Sequence, residues 1–176
     1  MCKLIYVEEK KMRVLLPTLF FVASALSSPV VWFGIGQNTD LSMEIGFSYG
    51  NWGANIYNAG NYDYAKKDVI DSRPPHTLYV VERDKVVGGI FGLDVMYFIK
   101  LWKLRPFIEG GFTITEKRNL AISTNILDRG AIYTLSRRNK LGFAGGVGTI
   151  FIHGLLLIGI EYHTEKGIVG QFGFAF

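Results

Sequence analysis

The sequence predicts an all-β chain: a closed antiparallel up-and-down transmembrane β-barrel of about eight strands, preceded by a cleavable signal helix. Three observations carry this. A basic, apolar and small-residue leader opens the chain, period-two alternation runs through most of the residues after it, and the two faces of those strands are large-apolar and tiny instead of apolar and charged.

A chain of 176 residues suits one domain. Twenty-one glycines and 14% aromatics, with five prolines and one cysteine, exclude collagen, a disordered polymer and a disulfide scaffold. Cys2 lies upstream of the apolar run, so no later cysteine is present to take a lipid or form a disulfide.

In "KKMRVLLPTLFFVASALSS", Lys10, Lys11 and Arg13 precede the apolar run Val14 to Val22, which ends at "ASA". This is the layout of a secretory signal peptide spanning residues 1 to 25, and the run is too short for a membrane-crossing helix of about 20 residues. A buried helix is the alternative reading. Met12 stands directly before the basic part, so it is a second candidate start. The mature unit is then residues 26 to 176. Losing the leader removes four basic and two acidic residues, and the formal charge of +4 falls to +2. The high pI is partly the leader's, and no nucleic-acid partner is implied.

In "LSMEIGFSYGNW", Leu41, Met43, Ile45, Phe47 and Tyr49 oppose Ser42, Glu44, Gly46, Ser48 and Gly50. In "VGGIFGLDVMYFI", Phe91, Leu93, Val95, Tyr97 and Ile99 oppose Gly88, Gly92, Asp94 and Met96, with Ile90 and Phe98 as exceptions. "RPFIEGGFTIT" sets Ile108, Phe112 and Ile114 against Glu109, Gly111, Thr113 and Thr115, with Phe107 out of phase. "LGFAGGVGTIF", "LLIGIEYH" and the closing "GIVGQFGFAF" alternate in the same way, the last through Ile168, Phe172, Phe174 and Phe176. Adding "PVVWFGIG" (29 to 36) and "HTLYVVER" (76 to 83) gives eight strands, at the expense of a long lower connection from 53 to 75. A competing phase makes "GQNTD" a lower turn and leaves the first strand missing.

A soluble barrel hides its large apolar face and charges the other. Here the second face is Gly, Ala, Ser and Thr with a few carboxylates, which fits a cramped interior and puts the large face against lipid. Backbone in lipid must be fully paired, so strands there close into a barrel. A soluble lipocalin-like barrel is the rival and would want more charge outside.

With this leader, these strands and a phenylalanine-terminated comb, residues 30 to 176 resemble the small outer-membrane barrels of the OmpA and OmpX type. The resemblance implies export to a bacterial outer membrane, contact with its lipid and lipopolysaccharide, and a monomer. It also implies that Ile168, Phe172, Phe174 and Phe176 form the signal read by the barrel-assembly machinery. "LWKLR" and "IHG" read as tight periplasmic turns, "HTEKG" as a short outer loop, and residues 53 to 85 and 118 to 138 as long extracellular loops. Residues 105 to 152 read as one hairpin that projects past the bilayer, as in OmpX-like barrels, with edges open to pairing with an extracellular protein.

Folding that hairpin about Arg129 gathers Lys117, Arg118, Arg137, Arg138 and Lys140 near the outer phosphates. By parity Arg118 and Arg137 point outward and become candidate lipopolysaccharide contacts, against the plain alternative of a solvated charge cluster. On the small-residue face lie Glu44, Asp94, Glu109 and Glu161, with Arg105 and Lys140 as same-face bases. These six are a candidate lumen network, either a plug of ion pairs and waters or a cation path or proton-linked gate. Eight strands leave an interior just wide enough for side chains, which argues against a continuous pore. Tyr49, Trp52 and Tyr162 are expected in an upper aromatic belt, and Trp102, Phe151, Phe174 and Phe176 in a lower one.

Catalysis finds little support. "EYHTEKG" is similar to the lipid A deacylase motif only in His163, since no serine stands at position 165 and too little chain remains to supply the acid. His76 and His153 lack companions at metal spacing, and "GFAGGVG" lacks the Lys and helix of a phosphate loop, so neither a metal, another cofactor nor a catalytic residue is indicated. The expected role is structural or surface interaction. A small pore and a lipid A-modifying enzyme are the alternatives.

Overall fold

The computed structural model describes residues 29–176; the leader assigned to residues 1 to 25 and the start at Met12 lie outside them. The strands are β1 (Val30–Gln37), β2 (Leu41–Tyr49), β3 (Trp52–Ala59), β4 (Val69–Ile70), β5 (Tyr79–Phe98), β6 (Leu104–Ser123), β7 (Ile132–His153), β8 (Leu156–His163) and β9 (Gly167–Ala175). Each barrel strand pairs antiparallel with its sequence neighbour, β4 being skipped. β9 returns to β1, from Val30 opposite Ala175 to Gln37 opposite Ile168, and closes an eight-stranded barrel. Of the strands among the described residues, only the two-residue β4 lies outside the ring, parallel to β7 at Ile132 and Tyr133.

The alternation decides which side faces out. Leu41, Ile45, Phe47, Leu93, Phe112, Phe143 and Phe172 are all exposed on the outer wall, while Glu44, Asp94, Glu109 and Glu161 are buried within. Inside-out polarity of this kind is what a hydrocarbon surround requires. Among the described residues no helix is long and apolar enough to cross a membrane; the crossing elements are strands.

Tight turns at 50–51, 99–103 and 154–155 mark one end of the barrel. Gly50 and Gly154 take positive φ there, as short hairpin connections demand. The other end carries 38–40, 60–78, 124–131 and 164–166. The central strands β5, β6 and β7 run for 20, 20 and 22 residues, whereas the other barrel strands have eight or nine. They rise as a three-stranded extension roughly 30 Å past the ring, at about 3.3 Å per residue.

Two sequence expectations are corrected. The third barrel strand is Trp52–Ala59, and residues 76 to 83 belong to the upper part of β5 and its approach. "WGANIYNA" hid because it turns Asn55 and Tyr57 inward, so its faces do not differ in polarity. "HTLYVVER" looked separate because the β5–β6 register shifts between Glu82 and Lys85 and again between Val86 and Ile90, with Asp84, Gly88 and Gly89 at positive φ. The long lower connection is thereby replaced by a two-residue turn. The same change moves Tyr49 and Trp52 to the turn end, where Trp52 packs 4.9 Å from Tyr97.

Large inward side chains, the out-of-phase Phe98 and Phe107 among them, fill the barrel's lower third. Trp32, Met96, Phe98, Phe107, Ile150 and Leu157 form a buried apolar floor. Their bulk is accommodated by glycine directly across the ladder: Trp32 opposes Gly46 and Phe107 opposes Gly148. A Cβ on Gly46 would lie 2.1 Å from the Trp32 ring, and one on Gly148 2.4 Å from that of Phe107.

Candidate functional site

Above the apolar floor the interior becomes a layer of charge. Glu44, Asp94, Glu109 and Glu161 come from β2, β5, β6 and β8 at inward positions, and all four converge on Lys166, the residue before β9. Its Nζ lies 2.7 Å from Glu161 Oε1, 3.3 Å from Glu109 Oε1 and 3.8 Å from Asp94 Oδ2, and it donates to Glu44. The ring of Tyr57 stands 4.8 Å from the same ammonium. Lys166 turns inward because Gly167 comes next with φ +76, where an added Cβ would lie 2.3 Å from the carbonyl oxygen of Gln37.

Neutral groups share the load. Gln171 Nε2 donates to Glu44 and to Glu161 at 2.7 Å each, Asn55 Nδ2 donates to Glu44 at 3.2 Å and Glu109 at 3.0 Å, and Trp32 Nε1 donates to Glu44 at 3.1 Å. His163 accepts the backbone N–H groups of Glu165 and Lys166 at Nδ1, both at 3.2 Å. That leaves the proton of the neutral ring on Nε2, which faces Asp94 Oδ2 at 3.3 Å.

Asp94, Glu109 and His163 offer ligand atoms within 4.8 Å of one another, the spacing a metal site needs. Two features oppose that use. A ring nitrogen that carries a proton has no lone pair for a metal, and the Lys166 ammonium already faces both carboxylates. The arrangement is an ion-paired layer, and it fills the bore between floor and mouth.

Arg105 and Lys140, the bases expected here, do not reach it. Arg105 belongs near the turn end, with Ile150 as its cross-strand partner, and Lys140 lines the mouth. Lys166 escaped the sequence reading because a residue in a tight connection has no strand parity to reveal its side. The signal present was indirect: four inward acids without a cation at matching height, and a lysine preceding a glycine at a barrel end.

Arg118 also departs from its expected position. Its guanidinium is buried, bonded to Glu116 at 2.6 Å and Thr134 at 3.0 Å and paired with Asp71 at 3.4 Å. The cause is the connection from β3 to β5. It runs beside β5 through Asp63 and Tyr64, then reaches the β7 edge as β4, so it passes over β6 and packs Val69 against Leu120 and Val87. Arg137 stays exposed, with Asp71 3.4 Å away. The comb residues Ile168, Phe172, Phe174 and Phe176 stand outward, and Phe172 meets Phe174 edge-on at 5.5 Å.

A Ser–His–Asp grouping closes the extension's tip, formed by Ser123, His76 and Asp128 with Tyr133. Ser123 Oγ lies 3.2 Å from His76 Nε2 but donates to Asp128 at the shorter 2.7 Å, and the same Nε2 faces Asp128 at 2.9 Å, so the aspartate does not sit behind the ring as it does in a catalytic triad. The Leu78 N–H occupies His76 Nδ1 at 3.2 Å. This is a pin that ties residues 76–78 to the β6–β7 turn.

No protein-family model matches the chain and no curated protein matches it significantly. Three solved structures are similar. The N-terminal β-barrel domain of Pseudomonas aeruginosa OprF shares 15% identity over 85% of this chain and 98% of that one, with a TM-score of 0.47. Neisserial surface protein A shares 11% over 84% and 92%, with 0.38. Ail, the attachment invasion locus protein of Yersinia pestis, solved with the heparin analogue sucrose octasulfate, shares 13% over 85% and 94%, with 0.32. The likeness is one of barrel architecture, and the fold rests on the chain's own closed ladder.

Proposed function

We propose that this chain is a non-enzymatic barrel of a bacterial outer membrane, with a structural or surface-interaction role carried by its β5–β7 extension and the 60–78 connection. The observation that carries the reading is the combination of an apolar outer wall with a bore closed at mid-height by the Lys166 layer. A wall of this kind belongs in lipid, and a closed bore leaves the projecting end as the part that meets other molecules. The orientation rests on short turns inside and long connections outside, as in barrels of this size. The terminal comb would then serve as the assembly signal, and residues 1 to 25 as the export leader.

The test is fractionation with heat-dependent gel migration, and then protease shaving of whole cells. Recovery with the outer membrane, a shift on boiling and cleavage confined to 60–78 and 124–131 are expected. Recovery in the soluble fraction with no shift would overturn the reading. A pore is disfavoured by the same layer, and steady conductance of the wild-type barrel in a planar bilayer would reverse that.

A further inference from the structure

Farther along the inward face of β6 from Glu109, at the loop end, the interior opens into a cup of about 500 Å³ lined by Lys117, Lys140, Thr113 and Thr115, with Val86 and Ile90 beside them. Asp63 and Glu165 border the same space. Both acids are engaged: Asp63 accepts the Val86 N–H at 2.8 Å and lies 3.9 Å from Lys85 Nζ, and Glu165 accepts from Asn61 at 3.3 Å. Among the described residues, the ion pairs include neither Lys117 nor Lys140. Lys140 opposes Thr115 across the β6–β7 ladder and Lys117 opposes Arg138, so the two lysines stand on neighbouring strands and line the same cup. Arg138 itself is taken by Asp84.

The wall is kept open at Gly142, opposite Thr113, where a Cβ would stand 2.7 Å from the threonine hydroxyl. Two uncommitted ammonium groups beside threonine hydroxyls are suited to an oxyanion carried on a hydrophilic body. The volume falls in the range of small-ligand sites, roughly 300 to 1,000 Å³. The buried Lys166 layer lies between this cup and the apolar floor. We propose that this cup binds a phosphorylated sugar, its phosphate between Lys117 and Lys140 and its hydroxyls on Thr113 and Thr115. The chemistry is the same for a free sugar phosphate and for a phosphorylated sugar of a lipid headgroup. The cup is a feature of the barrel interior and stands apart from the surface-interaction reading.

The full barrel, refolded in zwitterionic micelles, would be titrated with glucose 6-phosphate and with glucose while the amide resonances of Thr113, Thr115 and Gly142 are monitored. Saturable shifts with the phosphate ester and none with glucose are expected. The double variant Lys117→Gln, Lys140→Gln should weaken binding at least about tenfold, the scale of losing charge-assisted hydrogen bonds. Thr115→Val should weaken it less, and retained heat-dependent migration shows that each variant is folded. In nanodiscs with lipopolysaccharide, shifts already present before sugar is added assign the headgroup as the source; shifts only after addition assign a free sugar. Absence of saturable shifts in both settings, or equal binding by the double variant, would overturn the proposal, whatever the fractionation result.

Discussion

Lys166 Nζ stands 2.7 Å from Glu161 Oε1, with both side chains fully withdrawn from solvent, so one residue of a short connection holds together acids from four separate strands. Removing one partner of such a buried pair leaves uncompensated charge. Lys166→Met is expected to destabilise the barrel by about 3–5 kcal/mol, read as a lower urea midpoint in lipid. Lys140→Met, by contrast, should leave the midpoint nearly unchanged. Equal midpoints for Lys166→Met and wild type would refute the layer's stabilising role.

Trp32 and Gly46 form a single packing unit across the β1–β2 ladder. Gly46→Val should cost about 1–3 kcal/mol through overpacking, and Trp32→Ala about 3–5 kcal/mol through the cavity it leaves. The double substitution should cost less than the sum, because the valine then has somewhere to go. Strict additivity in unfolding measurements would show that the two side chains do not share space.

Asp128 lies outside the membrane-spanning part, and its carboxyl is held below the usual carboxylate range by the hydroxyl of Ser123 first, then by Tyr133 and His76. A depressed carboxylate stabilises the folded tip fully above the ordinary aspartate pKa, and that contribution is lost as the pH falls through the lower folded value. Hydrogen-exchange protection factors of residues 76–78 and 123–133, taken against the intrinsic rate at each pH, should therefore be high at pH 7 and fall in strong acid. Asp128→Asn should give low protection at both, and pH-independent protection in the wild type would contradict the assignment.

Arg118 secures the crossing segment. Arg118→Gln should cost about 1–3 kcal/mol, the scale of losing the hydrogen bonds of a buried charged group, and should expose residues 66–72 to protease. Arg137→Gln, on an exposed side chain, should change stability by less than about 0.5 kcal/mol. If lipopolysaccharide retention falls for Arg118→Gln while protease resistance does not, the buried role is wrong.

The outer wall was readable in order along the chain, because strand alternation sorts side chains without any knowledge of partners. Leu41 through Tyr49 and Ile168 through Phe176 declare their face locally, and the inversion of small and large residues was enough to imply lipid outside. The inward acids were readable by the same parity. What parity could not supply was β3, whose Asn55 and Tyr57 blur the faces, or the continuity of β5 across its two register shifts.

Local order along the chain was thus sufficient for a lipid-facing barrel with acids inside, since period-two spacing assigns the faces and hydrocarbon demands that every backbone group be paired. Which cation those acids meet is settled by three-dimensional packing. Lys166 lies in a connection with no strand parity, and its approach depends on how β8 and β9 turn at Gly167 beside Gln37. Likewise, the burial of Arg118 is set by the segment around Asp71, 47 residues earlier in the chain, whose path over β6 has no local signature.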